Sequence, residues 1–72
     1  MPITTKIGER IKELRSRLGI SQEALAHLAD LDRTYVNSVE NGKRNISIEN
    51  IEKIAKALNI SVKDFFDDKR FF

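Results

Sequence analysis

The stretch from Ser21 to Gly42, SQEALAHLADLDRTYVNSVENG, reads as two short helices joined by a tight turn, and the rest of the chain has to be arranged to support it. Ser21 is the N-cap of the first helix, its hydroxyl oxygen free to accept from backbone N–H groups that lack a partner within the helix. Glu23 adds a negative charge at the positive end of the helix dipole. Leu25, Leu28 and Ala29 fall on one face. LADLD interrupts the pattern, and Asp32 caps a second helix from Arg33 to about Asn41. That helix ends at Gly42, where a left-handed residue is wanted. Helices this short are marginal in water, so their stability has to come from packing on each other and on the flanking segments.

Before this pair, a first helix is expected to start near Thr4 or Thr5 and run to Leu18, closed by Gly19, because Ile7, Ile11, Leu14 and Leu18 recur at helical spacing. Lys6, Arg10, Lys12, Arg15 and Arg17, with Glu9 and Glu13, occupy its other faces and read mostly as a solvated surface. After Gly42, Lys43 and Arg44 fall in a loop, and Ser47 caps a fourth helix through about Leu58. Its apolar side is Ile48, Ile51, Ile54, Ala55 and Leu58, and Glu49 with Lys53 and Glu52 with Lys56 are favourable i,i+4 pairs. Asn59 takes a left-handed position, and Ser61 caps a short fifth helix, SVKDFF, with Asp64 where a capping box places its acid. DDKRFF carries no clear structural signal. The expected fold is all-α, a compact five-helix bundle forming one domain over residues 1–72.

A core drawn from 72 residues is marginal unless a partner covers more apolar surface, so oligomerisation is expected. Cysteine is absent, which excludes disulfides, thiol catalysis and thiolate metal sites and fits a reducing compartment, the cytoplasm. No apolar run approaches the roughly 20 residues that span a bilayer, and MPITTKIGER lacks the apolar core of a signal peptide, so no membrane partner is expected. His27 is the one histidine and lies opposite Leu25 and Leu28, at the surface. Gly8, Gly19 and Gly42 stand singly, so no phosphate-cradling loop is present. These features point away from catalytic residues, metal ligands and cofactors. The net charge of +2 permits nucleic-acid binding without demonstrating it.

The third helix is the informative one. Val36 and Val39 point one way, and Thr34, Asn37, Ser38 and Asn41 broadly the other, with Arg33 at the first position. The plain reading is an ordinary polar surface. The sharper one is nucleic-acid recognition, because the major groove of B-DNA admits one α-helix and these side chains are of the kinds that read base edges. Arginine pairs with guanine, asparagine with adenine, and a threonine methyl touches thymine. Gln22, the Tyr35 hydroxyl, Asn41, Lys43, Arg44 and Asn45 are then the candidate phosphate contacts, aided by the free N–H groups of the helix that starts at Gln22.

The runs SQEALA, LDRTYVNSVENGKRN and IEKIAKALNISVKDFF resemble the Cro and phage-repressor class of helix-turn-helix domains over about residues 6–66. Ala26 and the apolar Leu25, Leu31, Val36 and Val39 sit where that lambda-repressor-like motif needs them. Within the class, LDRTY followed by Glu40, the Arg44–Asn45 pair and Ser47 looks most like the controller proteins of bacterial restriction-modification systems. The resemblance implies that Gln22 meets a phosphate, that Arg33, Thr34 and Asn37 or Ser38 face bases, and that Tyr35, Lys43, Arg44 and Asn45 hold the DNA backbone, Arg44 reaching a base as well. It implies a partly buried ion pair between Arg15 and Glu40. Asp30 departs from the pattern, where glycine is common, although aspartate tolerates the left-handed region better than most residues.

The function so implied is a sequence-specific transcriptional regulator that binds a palindromic operator in double-stranded DNA as a homodimer and controls a restriction-modification operon, with RNA polymerase as a further partner. A phage-type repressor or an antitoxin is the alternative within DNA binding, and a protein-interaction adaptor the alternative outside it. The resemblance also places the dimer contact in the C-terminal helices, residues 47–67. Phe65, Phe66, Phe71 and Phe72 crowd four aromatics into the last eight residues, an apolar concentration that monomers avoid exposing. An isologous interface using Ile60, Phe65 or Phe66 is expected. The plainer alternative puts one phenylalanine in the core and leaves the terminal pair unstructured.

Overall fold

Ser21, Asp32, Ser47 and Ser61 each turn an extended residue into a helix start. Their side-chain oxygens accept from the backbone N–H of Ala24 (3.0 Å), Thr34 (2.9 Å), Asn50 (3.1 Å) and Asp64 (3.0 Å). In the computed structural model, which describes residues 1–72, the helices are α1 (Ile3–Leu18), α2 (Gln22–Ala29), α3 (Arg33–Glu40), α4 (Ile48–Ala57) and α5 (Val62–Phe66). A 3-10 turn, Lys69–Phe71, follows. No helix is long and apolar enough to cross a membrane.

The α2–α3 turn closes on Asp30, which adopts φ 55° and ψ 48° in the position where glycine is common. The next amide, Leu31 N–H, reaches back to the Ala26 carbonyl at 2.8 Å, and this terminates α2. Helix α1 packs on α3, α2 on both α3 and α4, and α4 on α5. Ile11, Leu25, Val36, Val39, Ile54 and Phe65 fill the centre. The end of α3 comes so close to α1 that a Cβ at Gly8 would collide with the carbonyl oxygens of Val39 and Glu40. Only glycine permits that approach.

Several expectations need correction. Helix α1 starts at Ile3, before Thr4 and Thr5, because the Pro2 carbonyl accepts from both Thr5 and Lys6 N–H at 3.1 Å and no threonine cap is needed. Leu18 is exposed in the last turn, and Ile20, beyond the reversal at Gly19, packs on the core instead. Leu28 is 60% exposed, since Leu25, Ala26 and Ala29 form the buried stripe of α2. Ile48, in the first turn of α4, is 83% exposed.

The largest revision concerns Arg10, which is buried and not part of a solvated face. Its Nε donates to the Phe65 carbonyl at 2.8 Å and its Nη2 to the Asp64 carbonyl at 2.9 Å, so the guanidinium satisfies the C-terminal end of α5. Its Nη1 reaches Glu13 at 3.0 Å and Asp68 at 3.4 Å.

Phe65 is fully buried, and its expected place in an interface between copies is therefore wrong: the small core takes this ring as its largest buried side chain. The tail after it is ordered by polar contacts. Asp68 accepts from Arg70 N–H at 3.0 Å, and Arg70 bridges Asp68 (2.8 Å) and Glu13 (3.2 Å). This folds Phe71 back so that its ring packs edge-on against Phe66, with centroids 5.1 Å apart. Of the terminal pair, only Phe72 is exposed.

Candidate nucleic-acid interface

Small residues set the geometry here. Ala26 and Ala29 are buried on α2, Val36 and Val39 on α3, and their burial turns the opposite side of α3 outward. Arg33, Thr34 and Asn37 are exposed on that side and, with Gln22 from α2, line a polar recess of about 250 Å³ that contains no apolar residue. Ser38, expected beside them, is half-buried and outside the recess. Two elements thus supply one hydrogen-bonding surface, on the outer side of the helix pair.

Glu40 lies beneath this surface with its side chain 1% exposed. Arg15 donates to it from Nε at 2.8 Å and from Nη2 at 3.1 Å, and also satisfies the Ile20 carbonyl from Nη1 at 2.8 Å. Gln22 Nε2 donates to the same carboxylate at 3.0 Å. The Gln22 carbonyl oxygen in turn accepts from Asn37 Nδ2 at 3.0 Å, and the Asn37 oxygen from Asn41 Nδ2 at 3.2 Å. Gln22, Asn37 and Asn41 therefore connect the buried ion pair to the exposed face. Of these links only Asn37 with Asn41, four apart on one helix, has a spacing that sequence inspection could have found.

At the other edge, the Arg44 guanidinium lies over the Tyr35 ring, 4.9 Å from its centroid, within range of a cation–π contact. Asn50 Nδ2 donates to the Tyr35 hydroxyl at 3.0 Å, which leaves the hydroxyl proton free to be donated outward. Asn50 had no sequence signal: it is an ordinary polar residue in the first turn of α4. Lys43, Arg44 and Asn45 are all exposed in the loop between α3 and α4. No three of the His, Asp and Glu side chains converge as metal ligands.

A helix-turn-helix family model matches residues 11–65. The chain belongs to the helix-turn-helix family. Control protein C.MunI of Mycoplasma sp is 46% identical over 92% of this helix-turn-helix chain and 90% of that protein. Control protein C.BamHI of Bacillus amyloliquefaciens is 48% identical over 83% of this chain and 75% of that one. Among solved structures, the restriction-modification controller protein C.AhdI from Aeromonas hydrophila matches with a TM-score of 0.85 at 51% identity, covering 88% of this chain and 96% of that chain. The controller protein C.Esp1396I, as a tetramer in complex with its natural 35 base-pair operator, matches with a TM-score of 0.88 at 37% identity, covering 93% and 88%. The likeness to restriction-modification controllers extends through the helix-turn-helix and the C-terminal helices alike.

Proposed function

We propose that this chain is a transcriptional regulator that binds a palindromic operator as a homodimer and controls a restriction-modification operon. The observation that carries the reading is the outward face of α3, where Arg33, Thr34 and Asn37 stand exposed opposite the buried Val36 and Val39. In a major groove, these side chains reach base edges, with Ser38 at their flank. Tyr35, Asn41, Lys43, Arg44 and Asn45 hold phosphates on either side, and Gln22 contacts the backbone where α2 begins. The chain acts by binding in the cytoplasm and carries out no catalysis of its own. Contact with RNA polymerase belongs to this reading as the route from operator occupancy to transcription.

The dimer face we assign is the groove between α4 and α5, about 390 Å³, walled by Ile48, Ile51, Val62 and Phe66 with Glu49 and Glu52 at its rim. Its occupant is the same groove of a second copy, an isologous arrangement that buries the exposed Ile48 and aligns two α3 helices with the two halves of a palindrome. Of the residues expected at the interface, Phe66 lines this groove, and Ile60 is half-buried against the core. The tetrameric operator complex of C.Esp1396I supports an oligomeric binder.

Selection of duplexes from a random pool by the purified protein tests the reading. Enrichment of a palindromic sequence, bound by a dimer with an affinity that falls as salt rises, is expected. Recovery of no preferred sequence would overturn it.

A further inference from the structure

We infer that Glu40 and Gln22 are positioning residues that fix the direction of the Asn37 side-chain amide and thereby decide which base it accepts. The inference rests on the operator-reading role proposed for α3.

The oxygen and nitrogen of a side-chain amide are alike in shape, so what decides their direction is the hydrogen-bonding partner. A carboxylate only accepts. Glu40 is an ionised acceptor locked by the Arg15 guanidinium through both oxygens, at 2.8 and 3.1 Å, and it is shielded from water. The group that Gln22 turns towards it at 3.0 Å must therefore be the Nε2 amine. That leaves the Gln22 oxygen facing outward, and the group that meets it at 3.0 Å must be Asn37 Nδ2. The Asn37 oxygen then points the other way and accepts from Asn41 at 3.2 Å. Reversing any one amide along this chain would set two donors or two acceptors against each other. Direction is thus passed outward from one buried charge, across two helices, to the exposed face.

The consequence is selective. Each polar atom of the Asn37 amide keeps free capacity: one proton remains on Nδ2, at the Gln22 side, and one lone pair on the oxygen, at the Asn41 side. Adenine complements this pair with its N7 acceptor and N6 amine, in one orientation. Guanine places the acceptor O6 where adenine has its amine, and so meets the Asn37 oxygen with a second acceptor. A freely rotating amide could turn its amine towards O6; a held one keeps its oxygen there. Gln22 is on this account more than a phosphate contact.

Four proteins, the wild type, Gln22→Met, Asn37→Ala and the double variant, would be titrated against the duplex selected by the wild type. Scrambled DNA and duplexes changed one base pair at a time complete the set. Methionine keeps the length of Gln22 and leaves Arg15–Glu40 intact, so the melting temperature should stay near that of the wild type. Gln22→Met should lower discrimination on the order of tenfold at the base pair that Asn37→Ala identifies, and only there, within the range of a bidentate base contact. Adding it to Asn37→Ala should lower discrimination no further. Equal loss of affinity for all duplexes, with an unchanged preference at every position, would overturn the inference and leave Gln22 as a phosphate contact. Failure of the wild type to prefer any duplex would instead remove the operator-reading role itself, and this inference with it. A readout without DNA stands beside these: the Asn37 side-chain amide resonances of the free protein should shift and exchange faster in Gln22→Met, and identical resonances in the two proteins would overturn it.

Discussion

Arg10 Nε donates to the carbonyl oxygen of Phe65 at 2.8 Å, joining residues 55 apart in the sequence. The bond ties the first helix to the last, and with Nη2 on Asp64 it satisfies two carbonyls at the end of α5. Arg10→Met should lower unfolding free energy by about 3 to 5 kcal/mol, as when one partner of a buried polar network is removed. Arg10→Lys should recover little, because an ammonium cannot fork to two carbonyls. Urea denaturation of the three proteins measures both.

Glu40 and Arg15 form the second long-range tie. Glu40→Ala strands the Arg15 guanidinium, and the expected loss is again about 3 to 5 kcal/mol. A melting temperature equal to that of the wild type would show that solvent or another acceptor replaces the carboxylate.

Phe65 and Phe66 are neighbours with different duties. Phe65→Ala empties the centre of the core and should destabilise by about 3 to 5 kcal/mol. Phe66→Ala should leave the protomer folded and shift a dimer towards monomer. Sedimentation at micromolar concentration together with thermal melting separates the two.

Arg33 and Lys43 should fail in different ways on DNA. Arg33→Ala should weaken operator binding by about 1 to 3 kcal/mol per half-site and relax preference at one base pair. Lys43→Ala should weaken all sequences nearly alike and reduce the salt slope by about 1 per protomer. Titration of operator and scrambled duplex at several salt concentrations distinguishes them.

Asp68 gives the tail a pH dependence. The Arg70 N–H donated to its carboxylate lowers its pKa below the ordinary 3.8; burial opposes this, and the Arg70 and Arg10 charges add to it. With the folded-state value below the unfolded one, the stabilisation is present above about pH 3.8 and is lost as pH falls through the folded-state value. Phe71 ring resonances should lose their dispersion in that acid range before the core melts. In Asp68→Asn, which keeps a capping side chain but no charge, that acid-dependent change should be absent.

What was legible in the sequence was what depends on near neighbours. Ser21, Asp32, Ser47 and Ser61 cap helices through bonds to residues two or three positions on, so the residue type and the start of an apolar pattern suffice to find them. Asn59, at φ 61°, is likewise a local matter. Arg10 escaped because its partners arrive from the other end of the chain, and a charged residue on an amphipathic helix looks solvated until they do. Phe71 escaped for the same reason, since its place depends on Asp68 meeting Arg10 and Arg70 meeting Glu13, both on α1. Leu28 and Ile48 misled in the opposite direction, since periodicity says which face is apolar but not whether a neighbour covers it. The polar face of α3 was readable residue by residue, whereas the bonds that hold it, from Glu40 through Gln22, cross between helices and were not.

On the operator-reading role proposed for α3, Gly8 is a place where recognition can be retuned from behind. The last turn of α3 is seated on bare backbone there, while its first turn hangs from Asp32 and the tight corner at Asp30. A methyl group added at Gly8 acts as a shim under one end of a lever about 12 Å long, the rise of its eight residues. The helix would tip, and every side chain on its outer face would meet the groove at a new angle although none had been replaced.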